Sequence, residues 1–208
     1  MNYQKELEKV IEGLEEPKTL LLHSCCAPCS SYVLVYLSRY FRIIIYFYNP
    51  NITDSEEYEK RLMEQREFIA TLNGLQETTY PITILEATYK VEDFYEVAKG
   101  LESSPEGGER CEACFRLRLE QCARVTKEYG YDYYTTTLTI SPMKNSPMLN
   151  DIGQEMGRKH GVEFLPSDFK KKNGYGQSVA LSKEYDLYRQ SYCGCIYSKV
   201  QREQEMRV

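Results

Sequence analysis

Two hydrophobic periods take turns along this chain, one of strands and one of helices. "TLLLH", residues 19–23, is a short apolar run between Pro17 and a cysteine-rich loop, and predicts a buried strand. Ser30 to Arg39 then carries Val33, Leu34 and Leu37 at helical spacing. "RIIIYFYNP", residues 42–50, is β-branched and aromatic and stops at Asn49–Pro50, a second strand. Thr53 or Asp54 can cap a charged helix running to about Leu72. "ITIL", residues 82–85, predicts a third strand, and Val91 to Lys99 a helix. Beyond the loop "GLESSPEGGER", residues 110–129 predict a helix ended by Gly130. "YDYYTTTLTISP" predicts a fourth strand stopped at Ser141–Pro142, followed by a helix over Ser146 to His160. "VEFLP" predicts a fifth, short strand. A loop with Gly174 and Gly176 leads to a helix near Ser178 to Tyr188, and a polar helix closes the chain.

Strands and helices in alternation predict an α/β fold, a doubly wound parallel sheet with helices on both faces. Ligands of such sheets gather beyond the carboxyl ends of the strands. The first cysteines follow the first strand directly, and "TLTISPMKN" leaves the fourth strand toward the same edge. The 208 residues suit a single α/β domain over 1–208. Residues 1–17 are expected to form a helical N-terminal extension, and 190–208 a cysteine-bearing tail packed on the core.

Composition narrows the class. With 42% apolar and 27% charged residues the chain is an ordinary globular one, so disorder is not expected. No apolar run approaches the roughly 20 residues of a membrane span. The opening "MNYQKELEKVIEGLEEPK" is charged throughout, unlike a signal or transit peptide. A cytoplasmic location without membrane contact is therefore expected, where thiols stay reduced. The net charge of −5 gives no global argument for nucleic-acid binding. Lys170, Lys171 and Lys172 form a local basic step that suits a phosphate backbone or a solvated face alike. The 19 tyrosines, against seven Phe and no Trp, predict many half-exposed aromatic faces with polar tips.

The eight cysteines change the picture most. Seven are clustered: Cys25, Cys26 and Cys29; Cys111 and Cys114; Cys193 and Cys195. In a reducing compartment that clustering favours metal ligation over a catalytic disulfide. Cys111 and Cys114, three apart on a helix, share one face. Cys25, Cys26 and Cys29 lie at a loop-to-helix junction, where the helix N-terminus favours thiolate. Gly194 between Cys193 and Cys195 permits a tight turn. Cys122, two turns past Cys114, reads as a core residue. Four thiols satisfy one structural zinc, and the pairs 111–114 and 193–195 would suffice. Seven are better used by an iron–sulfur cluster beside a second metal or a redox pair. His23, next to the cysteines, is a candidate proton donor or supporting residue, or a buried strand-end histidine. No Walker loop, GxGxxG or GxSxG occurs, which removes the commonest nucleotide and hydrolase motifs.

Five segments in order, "HSCCAPCSSY", "RCEACFRLRL", "TTTLTISPMKN", "SDFKKKNGYGQS" and "LYRQSYCGCIYS", together resemble the QueH type of epoxyqueuosine reductase, from about Leu20 to Ser198. The resemblance implies a sheet like that of the adenine nucleotide α-hydrolase or PP-loop group. The glycine-rich SGGxDS loop of that group is absent, so ATP use is not expected. It implies reduction of epoxyqueuosine to queuosine in the anticodon loop of tRNA, without cobalamin. The implied cofactors are a 4Fe-4S cluster and an additional mononuclear iron, fed by an electron donor the sequence does not identify. By motif, the cofactor ligands would be Cys25, Cys26, Cys111, Cys114, Cys193 and Cys195. Cys29 would be a further metal ligand, at a position where some relatives carry Asp. Cys25, Cys26, His23, Asp168 and Tyr175 are the candidate catalytic residues, with Tyr192 a further proton donor. Tyr32 and Tyr175 could stack on an extruded base. Lys144, Lys170, Lys171, Arg116 and Arg189 are candidate phosphate contacts. The rival reading is a zinc-stabilised RNA-binding module without catalysis.

Overall fold

The computed structural model describes residues 1–206. Its strands are β1 (Lys18–His23), β2 (Phe41–Phe47), β3 (Thr83–Glu86), β4 (Tyr133–Thr136) and β5 (Glu163–Phe164). They form one sheet in the order β3-β2-β1-β4-β5, with every pairing parallel. The helices are α1 (Tyr3–Glu12), α2 (Ala27–Leu37), α3 (Ser55–Gly74), α4 (Val91–Ala98), α5 (Glu109–Tyr129), α6 (Ser146–His160), α7 (Gly174–Glu184) and α8 (Ile196–Glu205). This is the doubly wound α/β sheet the alternation predicted.

The two faces follow from the period of β1. Leu20 and Leu22 enter one core with Val33, Leu34, Ile43, Ile45 and Phe68, under α2 and α3. Leu21, between them, enters the other with Leu119, Ala123, Tyr134, Leu149 and Ile152, under α5 and α6. Successive side chains of a strand point to opposite faces, so a run of three leucines feeds both layers. Leu7 of α1 is fully buried in the first core, and α7 packs against α2. No described helix is long and apolar enough to cross a membrane.

Sheet order also fixes where a ligand can enter. The chain winds from β1 out to β3 and returns to β4 on the other side of β1. The crevice between β1 and β4 is therefore the switch point, and it opens at their carboxyl ends. The loop after β1 and the loop after β4 both lie there.

Three elements differ from the expected bounds. The fourth strand ends at Thr136 and passes into a 3-10 turn, Thr137–Ile140, because the Thr136 side chain accepts from the Leu138 amide at 3.1 Å. α2 begins at Ala27, with Pro28 in its first turn, where a missing N–H costs nothing. α7 begins at Gly174. There the carbonyl of Phe169 and the ring of Tyr32 leave no room for a Cβ, so a glycine that reads as loop is the helix start.

Candidate metal centre

β1 delivers the first cysteines. Cys26 is the N-cap of α2, and Cys29 lies in its first turn. The sulfurs of Cys25 and Cys26 are 3.8 Å apart, and those of Cys25, Cys26 and Cys29 all lie within 4.8 Å of one another. Cys25 is the member whose pKa is lowered. Hydrogen bonds from Cys26 and Cys29 bring its pKa well below the ordinary thiol value, helped by the charge of Arg118. Giving that hydrogen bond pushes Cys26 up to about 12. Gln190 donates to Cys26 Sγ at 3.0 Å.

The second set comes from α5 and the tail. Cys111 and Cys114 stand on the first two turns of α5, and Cys195 is the N-cap of α8. Cys111, Cys114, Cys193 and Cys195 line one small cavity of about 20 Å³, with Phe94 and Phe115. Among the described residues no three of these four sulfurs fall within the 4.8 Å that encloses the first set. Burial raises the Cys111 thiol and pushes Cys114 up to about 12. Each of three sulfurs accepts one hydrogen bond: Cys111 from the Gly107 amide at 3.2 Å, Cys195 from the Ser198 amide at 3.4 Å, and Cys193 from Lys144 Nζ at 3.3 Å. The starts of α2, α5 and α8 thus converge on the thiols, and helix N-termini favour negative charge.

A buried arginine holds the tail in place. Arg61 of α3 pairs with Glu57 at 2.7 Å and donates to the carbonyls of Cys193 at 3.0 Å and Tyr192 at 3.4 Å. Gly194 turns between the two cysteines at φ +130°, a region side chains rarely adopt, and a Cβ there would meet Ile52 Cγ1 at 2.9 Å.

A larger cavity, about 210 Å³, opens over Cys25, Cys29 and Cys193. Lys144, Tyr175, Arg189 and Tyr192 wall it, and the buried Arg118 reaches it from below. Cys193 and Glu106 border both cavities, so the two cysteine sets are neighbours.

The other candidate residues divide by position. Tyr175, Arg189 and Lys144 reach the larger cavity, and the Arg189 guanidinium lies over the Tyr175 ring at 5.9 Å. His23 is fully buried behind the cysteines and borders neither cavity. Arg118 Nε donates to His23 Nε2 at 3.2 Å, a nitrogen that also lies 3.2 Å from the Tyr48 carbonyl, while Nδ1 faces Thr136 Oγ1 at 2.9 Å. Burial, with the Arg118 charge, pulls the His23 pKa down to about 3. Asp168 lies away from both cavities, paired with Lys170 at 2.8 Å and with Ser146. Lys171 is exposed, and Arg116 is engaged by Glu112 and Glu155. Tyr32 is stacked on Tyr36 at 5.8 Å and does not line the larger cavity. Cys122 is fully buried in the second core and lines neither cavity.

The sequence reading missed Arg118, Arg61, Asn49 and Gln190. For Arg118 a signal exists: it stands four residues after Cys114, on the same face of α5. Arg61 carries none, since it reads as one charge of a charged helix.

Residues 20–201 match the family described as "Epoxyqueuosine reductase QueH". A protein of that name from Staphylococcus epidermidis is 42% identical over 97% of this chain and 86% of its own length. One from Streptococcus pyogenes is 41% identical over 95% of this chain and 78% of its own. One from Thermotoga maritima is 35% identical over 90% of this chain and 93% of its own.

Proposed function

This chain belongs to the epoxyqueuosine reductase QueH family, and we propose on that premise that it reduces epoxyqueuosine to queuosine in the anticodon loop of tRNA, using iron held by its seven clustered cysteines. The observation that carries the reading is the adjacency of two thiol sets of different span, with Cys193 bordering both the open cavity and the small one.

The donor sets support two kinds of metal group. A single tetrahedral ion with metal–sulfur bonds of about 2.3 Å needs sulfurs about 3.8 Å apart. Cys25, Cys26 and Cys29 are close to that spacing, which suits the mononuclear iron. Cys111, Cys114, Cys193 and Cys195 spread wider, which suits the 4Fe-4S cluster. All seven donors are sulfur, the ligand iron–sulfur groups take.

Removing an epoxide oxygen as water consumes two electrons and two protons. The bound iron groups would supply one-electron transfer and a Lewis-acidic position. The chain's own residues do the rest. Tyr175 and Tyr192 offer aromatic faces to an extruded base, as readers of single-stranded RNA do. Arg189, exposed at the rim, contacts a phosphate or the base plane. Lys144 Nζ and the hydroxyls of Tyr175 and Tyr192 hold protons at the cavity wall. Burial works against the Lys144 ammonium, but the charge of Cys193 and Cys25 outweighs it and raises its pKa. His23 acts through Arg118 rather than on substrate. Of the other candidate phosphate contacts, Lys171 is exposed and offers a charge to the tRNA backbone, whereas Lys170 and Arg116 are engaged by carboxylates.

The test is a single-turnover assay without oxygen. Chemically reduced protein is mixed with tRNA carrying epoxyqueuosine, and the digested nucleosides are weighed. The expected product has lost one oxygen. Unchanged epoxyqueuosine with iron-loaded, reduced protein would overturn the reading.

A further inference from the structure

Arg118, like Arg61, is a fully buried cation. It projects from the middle of α5 with no solvent exposure. Nε donates to His23 Nε2 at 3.2 Å, and Nη2 to Asn49 Oδ1 at 2.7 Å. Both partners are themselves fixed. His23 is oriented by Thr136, and Asn49 Nδ2 donates to the Ser24 carbonyl at 2.8 Å. The guanidinium plane is thereby set by the ends of β1, β2 and β4. Nη1 has no partner, and the residue borders the larger cavity. An unpaired buried cation is costly unless a negative charge answers it. Among the described residues no carboxylate pairs with Arg118. Cys25 and Cys193 line the larger cavity with it and Cys114 stands one turn before it on α5; against the cost of burial, the charge of these cysteines, which belong to both sets, favours the guanidinium.

We propose that Arg118 is a positioning residue for the metal centre, the buried countercharge shared by both cysteine sets, and that it holds the reduced-to-oxidised balance of the iron they bind. The inference rests on the reading above. Reduction adds one negative charge to a thiolate-bound iron group. A cation fixed in a dry site stabilises that form more than the oxidised one, because little solvent screens it. A merely structural role, tying α5 to the strand ends, would leave that balance untouched.

The experiment is a redox titration of the visible absorption of the iron-loaded full chain, with iron content and melting temperature recorded beside it. Arg118→Met keeps bulk and removes the charge. At the parent's midpoint potential its reduced-to-oxidised ratio is expected to fall at least tenfold, 59 mV for a one-electron couple. Arg118→Lys, which keeps a charge, is expected to fall less than threefold. Asn49→Asp sets a carboxylate against Nη2 and is expected to shift the ratio in the same direction as Arg118→Met. A folded, iron-loaded Arg118→Met within twofold of the parent overturns the inference. If that variant does not fold, Asn49→Asp within twofold of the parent overturns it. A parent whose iron does not titrate at all overturns the reductase reading, and this inference with it.

Discussion

Replacing Arg61 with Met separates the fold from the metal centre. Arg61 is fully buried, and its partner Glu57 is 11% exposed in its side chain. Removing one member of such a pair leaves the other charge unanswered, at a cost of about 3–5 kcal/mol. Tyr188 Oη also donates to Glu57 Oε2, at 3.2 Å, which places the loss toward the lower end. A domain with about 5–15 kcal/mol of stability survives that loss, so the variant is expected to fold. The centre is not expected to survive. The carbonyls of Cys193 and Tyr192 lose their charged donor, worth about 1.5–3 kcal/mol each, and these bonds seat the tail. Urea unfolding reads the stability, and iron per chain reads the centre. Adding Glu57→Leu removes the stranded carboxylate and is expected to restore about 1–3 kcal/mol, with iron content still low. A loss below about 1 kcal/mol, or parental iron content in Arg61→Met, would refute this reasoning.

Gly194→Ala asks for a side chain at φ +130° and 2.9 Å from Ile52 Cγ1; it is expected to lower iron content, measured by metal analysis, with unfolding in urea shifted by about 1–3 kcal/mol. Cys25→Ala is expected to lose turnover and iron from the compact set while its circular dichroism stays parental. Cys122→Ala is expected to keep full iron content and to lose about 1 kcal/mol in urea unfolding, since it vacates a small volume in a closed core. Arg189→Ala, at the cavity rim, is expected to weaken tRNA binding and to reduce the slope of log affinity against log salt by about 1, read from binding isotherms at several salt concentrations.

The sheet was legible because its signals are local. "TLLLH" and "RIIIYFYNP" declare β1 and β2 by composition, and Gly130 ends α5 in the left-handed conformation its position requires. The cysteine groupings were legible from spacing, down to the shared face of Cys111 and Cys114. What stayed hidden depends on tertiary contacts. Asn173, left-handed before Gly174, starts α7 where the chain reads as loop, because Phe169 and Tyr32 crowd that point. Lys144 reads as a surface cation for phosphate, yet its ammonium lies against Cys193, 49 residues away. Arg61 and Arg118 read as ordinary helix charges. Only the packing of α3 and α5 against the tail and the strand ends shows that both are buried.

Everything proposed for this chain depends on the clustered thiols holding redox-active iron. Metal and sulfide analysis of the protein purified without oxygen, with its visible spectrum, tests that most directly. The expected result is a brown protein with more than four irons per chain, inorganic sulfide, and absorption that bleaches on reduction. A colourless protein with one zinc per chain would contradict it, and would leave a zinc-stabilised RNA-binding module as the better description.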